Sequence, residues 1–89
     1  MSTPKLGVYS KLVDRSSIRK ALLSRLISRP ATPSELAAIE QKHVSHVSRA
    51  LAEMRGMGLV EYASSGSRER YYRATVQGYM VFAALKYSR

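Results

Sequence analysis

Within the stretch KHVSHVSRAL, residues 42–51, two histidines stand three positions apart, His43 and His46, among Lys42, Ser45, Ser48 and Arg49. Imidazoles at that spacing share a helical face and can hold a transition metal, but a closed site needs a third and fourth ligand. Glu40 is the nearest candidate, and it lies across an expected helix break. The alternative chemistry is hydrogen bonding and charge, with imidazole, hydroxyl, ammonium and guanidinium groups presented outward to a partner. Catalysis finds little support. One aspartate (Asp14) and five scattered glutamates offer no paired carboxylates, and no nucleophile is set against a base and an orienting acid. No metal or other cofactor is expected.

Charge indicates what that partner would be. Fifteen basic residues against six acidic ones give a net +9 in 89 residues, and ten of the fifteen are arginine. Such an excess suits a polyanion, a nucleic acid or an anionic surface. Residues 1–31 carry +6, residues 32–63 carry −1 and residues 64–89 carry +4, so the charge sits at the two ends of the chain. The chain has no cysteine, which excludes disulfides, thiolate metal sites and cysteine nucleophiles. With no secretory or membrane-spanning run, a cytoplasmic protein without a membrane partner is expected. The absence of asparagine, with only Gln41 and Gln77 as side-chain amides, fits a thermophile.

The elements that must position these groups follow from periodicity. Residues 1–14 read as an N-terminal arm, with Pro4 and Gly7 suggesting loose or extended chain over residues 1–9. Residues 16–28, SSIRKALLSRLIS, place Ile18, Leu22 and Leu26 on one helical stripe beside Leu23 and Ile27, and Pro30 ends the helix. In TPSELAAIE, Thr32, Pro33 and Glu35 form a capping-box start for a short helix that buries Leu36 and Ile39. Val44, Val47, Leu51 and Met54 then define the core face of a further helix that Gly56 and Gly58 terminate, Gly58 as a left-handed cap. Met54 and Met57 read as core filler. Residues 59–63 and 71–75 flank SSGSRER as a hairpin, with Val60, Tyr62, Tyr72 and Ala74 on its half-buried face. At most one of Tyr71 and Tyr72 is then exposed, and Arg73 can pair with Glu61. Thr75 caps a last helix, residues 76–87, that is apolar nearly all round in YMVFAAL and so asks for a partner beyond its own core.

Three segments in this order, TPSELA, SHVSRALAEMRGMGLVEY and RERYYRATVQG, resemble the archaeal MarR/ArsR-type winged-helix regulators over roughly residues 15–80. Lys42 stands where that family's turn carries an apolar residue, and Ala74 where a larger aliphatic is usual. The family's metal sensors rely on cysteines that are absent here, and its ligand sensors carry longer dimerisation helices. The resemblance implies a mainly α fold with a small β-hairpin wing, a winged helix-turn-helix dimerising through its terminal helices, with residues 15–89 as the DNA-binding domain. It implies a double-stranded DNA partner and a homodimer acting as a sequence-specific transcriptional regulator, not an enzyme. Lys42, His43, Ser45, His46, Ser48 and Arg49 would form the DNA-contacting part of the recognition helix, Arg49 reaching guanine and Lys42 a phosphate. Ser67, Arg68 and Arg70 of the wing would meet the minor groove or its phosphates, and Thr32 and Ser34 would offer further phosphate contacts. The basic residues Lys5, Lys11, Arg15, Arg19 and Lys20 would add to these if they face the duplex. Leu23, Ile27, Tyr79, Phe82 and Leu85 are the expected dimer interface. Two other classes remain open: an architectural protein coating DNA with little sequence preference, and a protein-interaction module that docks through its last helix.

Overall fold

The computed structural model describes residues 4–63 and 70–87, with side chains from Gly7 onward. Five helices and one hairpin follow in the order α1 (Pro4–Asp14), α2 (Ser17–Ser28), α3 (Pro33–Glu40), α4 (Val44–Gly56), β1 (Val60–Ala63), β2 (Tyr71–Ala74) and α5 (Val76–Tyr87). This is a winged helix-turn-helix, with α3 and α4 as the helix pair and β1–β2 as the wing.

The first element differs from expectation. Residues 4–14 form a helix rather than a loose arm. Pro4 is tolerated as the first helical residue, and the weak propensity of Gly7 is outweighed by packing. α1 lies against α5 and α2, with Val13 fully buried and Tyr9 packed on the core. Tertiary burial thus supplies a helix that local composition argues against.

The remaining elements are set by caps and stripes. The Ser16 hydroxyl accepts the Arg19 amide at 3.2 Å and starts α2, whose Leu22, Leu23 and Leu26 enter the core. Thr32 and Glu35 close the capping box of α3 from both sides, at 3.1 and 3.0 Å. α3 ends on Gln41 in the left-handed region (φ 55°), where the Lys42 amide reaches the Ala37 carbonyl at 3.0 Å and turns the chain into α4. α4 ends the same way on Gly58 (φ 76°), with the Leu59 amide donating to the Met54 carbonyl at 2.9 Å.

Val47, Ala50, Leu51 and Met54 of α4 join Leu22, Leu23, Leu26, Leu36, Leu59, Val60 and Val81 in one core, with Met57 against its edge. Two expected core residues lie outside it. Val44, in the first turn of α4, and Ile39, near the end of α3, are each nearly half exposed, because both stand at the turn where the two helices diverge.

β1 and β2 pair antiparallel with Val60 opposite Ala74 and Tyr62 opposite Tyr72. Ala31 bridges to Tyr72 on the far side of β2, which ties the α2–α3 connection to the wing. Thr75 then caps α5 by accepting the Gly78 amide at 3.0 Å, while its hydroxyl donates to the Gly58 carbonyl. Gly78 is needed there because a Cβ would run into the Leu59 backbone carbonyl.

Candidate nucleic-acid interface

The burial of Val47, Ala50, Leu51 and Met54 decides what the rest of α4 can do. With 100° between successive residues, a helix whose one side is fully buried must turn the opposite side outward. Ser45, His46, Ser48 and Arg49 are accordingly exposed, as are Lys42 and His43 at the start of the helix. None of these six side chains makes a hydrogen bond or ion pair with another described residue, and their main mutual contact is a tilted approach of the His43 and His46 rings at 5.9 Å. His43 is the N-cap of α4 but makes no side-chain capping bond, so its imidazole is also uncommitted. The N-terminal half of α4 therefore presents donors and acceptors of several kinds with no other described residue to satisfy them. Among the described residues no group of three His, Asp or Glu side chains is placed to hold a metal ion.

Other expected contact residues are differently placed. Thr32 is buried, with 1% of its surface exposed, and its side-chain oxygen caps α3 by accepting the Glu35 amide, so it is burial that keeps its hydroxyl from a phosphate. Ser34 is exposed on the first turn of α3. Arg19 is committed inside the protein: its Nε and Nη2 donate to one Glu53 oxygen at 3.1 and 2.7 Å, and its Nη1 donates to the Leu12 carbonyl at 2.9 Å. Lys20 pairs with Asp14 at 3.1 Å, and Arg25 pairs with Glu40 at 2.8 Å. Lys11 and Arg15 are exposed. Of the basic residues conditionally expected to meet phosphate, Arg19 and Lys20 thus already stand in ion pairs.

At the wing, Ser67 and Arg68 lie outside the described residues. Arg73 pairs with Glu61 across the strands at 2.9 Å, as anticipated. Tyr72 is buried while Tyr71 is only half-buried. Arg70 is exposed and donates from Nη1 to the Tyr62 hydroxyl at 2.9 Å, with its guanidinium carbon 4.8 Å from the Tyr62 ring centre. Arg55, from the last turn of α4, lies 4.2 Å from the same centre. Tyr62 meets Tyr72 edge-on at 5.0 Å. The hydrogen bond from Tyr72, followed by the charges of Arg55 and Arg70, holds the Tyr62 phenol below the ordinary tyrosine value, whereas burial pushes Tyr72 up. Sequence reasoning missed Arg55. The signal was its position eleven residues after Val44, at the hairpin end of the helix.

Of the expected dimer residues, Leu23 is fully buried in the protein's own core and cannot also line an interface. Ile27, Phe82 and Leu85 are half-buried, the latter two packed against that core. Tyr79 is half exposed, and its hydroxyl reaches the Ile27 carbonyl at 3.2 Å. Besides Tyr79, apolar surface is left open on the terminal helices by Val8 on α1 and by Val76, Met80 and Tyr87 on α5.

The sequence profile for bacterial regulatory proteins of the arsR family matches residues 16–62, from the cap of α2 through Tyr62. Among solved structures, a possible transcriptional regulator for arsenical resistance is 33% identical, over 89% of this chain and 81% of that one, with a TM-score of 0.71. A MarR family transcription regulator is 25% identical over 98% of this chain and 64% of that one, with a TM-score of 0.75. Staphylococcus aureus MepR, solved as a DNA complex, shares the fold at 16% identity and a TM-score of 0.75, over 92% of this chain and 71% of that one. The chain spans about half (48%) of the length of Lactococcus lactis ZitR, another structure of this fold. No curated protein matches the sequence.

Proposed function

The chain belongs to the arsR family of regulatory proteins, and from that premise we propose that it is a homodimeric, sequence-specific double-stranded DNA-binding transcriptional regulator. In this reading the N-terminal half of α4 enters the major groove and the wing meets the adjoining minor groove. The observation that carries it is the uncommitted set Lys42, His43, Ser45, His46, Ser48 and Arg49, projected from a helix whose opposite face is locked into the core. Arg49 can bond O6 and N7 of one guanine, while serine and imidazole groups reach neighbouring edges or phosphates. That MepR, of the same fold, was solved with DNA supports DNA as the partner.

The second copy would dock on the terminal helices, where Val8, Met80 and Tyr87 leave apolar surface on a small protein. Two recognition helices would then read half-sites about one helical turn, ~34 Å, apart. No membrane-spanning helix exists among the described residues, and the regulator would act in the cytoplasm, without catalysis and without a bound metal.

Selection from randomised duplex DNA at ~0.15 M salt, where charges are screened beyond ~8 Å, tests the reading. A two-fold-symmetric motif is the expected result. Retention of DNA with no motif would instead support an architectural protein, a reading the +9 charge favours. Failure to retain duplex at all would leave the protein-interaction module.

A further inference from the structure

Among the described residues four basic side chains, Arg19, Lys20, Arg25 and Arg73, are neutralised by carboxylates of the protein itself. Arg55 and Arg70 are different. Neither is paired with a described carboxylate, yet neither is loose: both guanidiniums are held against one ring, that of Tyr62, at 4.2 and 4.8 Å from its centre. Two like charges around one tyrosine repel each other, and the ring's negative face and the hydroxyl work against that repulsion. A surface that needed charge only for solubility gains nothing from such clustering. An anion within reach of both arginines would offset it.

The position of the cluster indicates which anion. Arg55 belongs to the last turn of α4, Tyr62 to β1, and Arg70 is the residue before β2, so the cluster joins the end of the helix to the base of the wing. Val60, Tyr62, Tyr72 and Ala74 share the hairpin face turned toward the core, which aims Tyr62 at α4, whereas Glu61 and Arg73 form their ion pair on the opposite face. A protein with its helix in the major groove and its wing at the next minor groove must straddle the phosphate strand that separates the two grooves.

We infer that Arg55 and Arg70, braced on Tyr62, form a backbone-phosphate clamp for that strand. The inference rests on the DNA-binding reading and deepens it, adding Arg55 to the interface and giving Tyr62 the role of a positioning residue. The Tyr62 oxygen accepts from Arg70, so the ring and the hydroxyl together fix the wing arginine instead of leaving it to sweep through solvent. A phosphate clamp carries no sequence information of its own; it fixes register and adds salt-dependent affinity.

The test uses the full chain and a duplex that the wild type retains. Removing one phosphate contact should lower the slope of log affinity against log salt by ~0.9. Arg55→Ala is expected to show that reduction, with roughly tenfold weaker binding to preferred and random duplexes alike. Arg55→Lys should keep the slope and lose only part of the affinity, and Tyr62→Phe should weaken binding less than Tyr62→Leu, since the first keeps the ring. A methylphosphonate scan gives the readout a merely structural role would not move. One neutralised linkage should weaken the wild type and leave Arg55→Ala unaffected. Unchanged slope and affinity in a folded Arg55→Ala, or additive losses at every linkage, would overturn the clamp while leaving DNA binding intact. No retention of any duplex by the wild type would overturn the functional reading and the clamp together.

Discussion

Helices α2 and α4 are built alike and differ in what becomes of their charge. Each buries an apolar stripe, Leu22, Leu23 and Leu26 in one and Val47, Leu51 and Met54 in the other, and each carries basic residues on the far side. On α2, three of those residues end in ion pairs with Glu53, Asp14 and Glu40, which tie the helix to α4, to the end of α1 and to α3. On α4, Arg49 and the preceding Lys42 have no such partner among the described residues, and the polar side chains between them are equally free. Net charge therefore counts those three cations of α2 alongside the unpaired ones of α4. A cation already bonded to a carboxylate of its own protein has little left to offer a phosphate.

The largest effects should fall on the faces where the two helices agree. Leu22→Ala and Leu51→Ala, both at fully buried positions, should each cost ~2–5 kcal/mol of stability in chemical denaturation, because each leaves a cavity as well as losing burial. A far smaller loss at one of them would break the equivalence of the inner faces. The outer faces should then separate. Arg49→Ala should leave the thermal midpoint in place while removing ~1–3 kcal/mol of discrimination at one base position, measured by competition between duplexes. Arg19→Ala should do the reverse. It loses the bonds to Glu53 and Leu12 and should lower stability by ~1–2 kcal/mol, with the salt dependence of DNA binding unaltered. A salt slope that falls with Arg19→Ala would mean that the α2 cations reach DNA after all.

Local pattern carried most of the architecture. The stripe of α2, the Thr32–Glu35 box, the left-handed Gly58, the Thr75 cap and the hairpin alternation all depend on residues close in sequence, and each is present. What escaped the sequence depends on distant partners. α1 forms because α5 and α2 cover it, which nothing in PKLGVYSKL announces. Leu23 looks like interface material on a helical stripe, yet α5 closes over it, with Gly78 letting that helix sit against Leu59 and Leu23. Arg19 and Glu53 meet across thirty-four residues, so its withdrawal from solvent could not be foreseen. The cluster of Arg55, Tyr62 and Arg70 likewise joins a helix end to both roots of the wing. On α4 itself the outward polar face was legible because the helix supplies its own reference, the buried stripe opposite. Val44 was misread because a first-turn residue need not follow the stripe inward.

The most direct test of the account is a side-by-side selection from randomised duplex DNA with the wild type and Arg49→Ala. The account predicts a two-fold-symmetric motif for the wild type and, for the variant, the same motif with information lost at one position in each half-site. An unchanged motif in a folded Arg49→Ala would contradict the placement of α4 in the major groove.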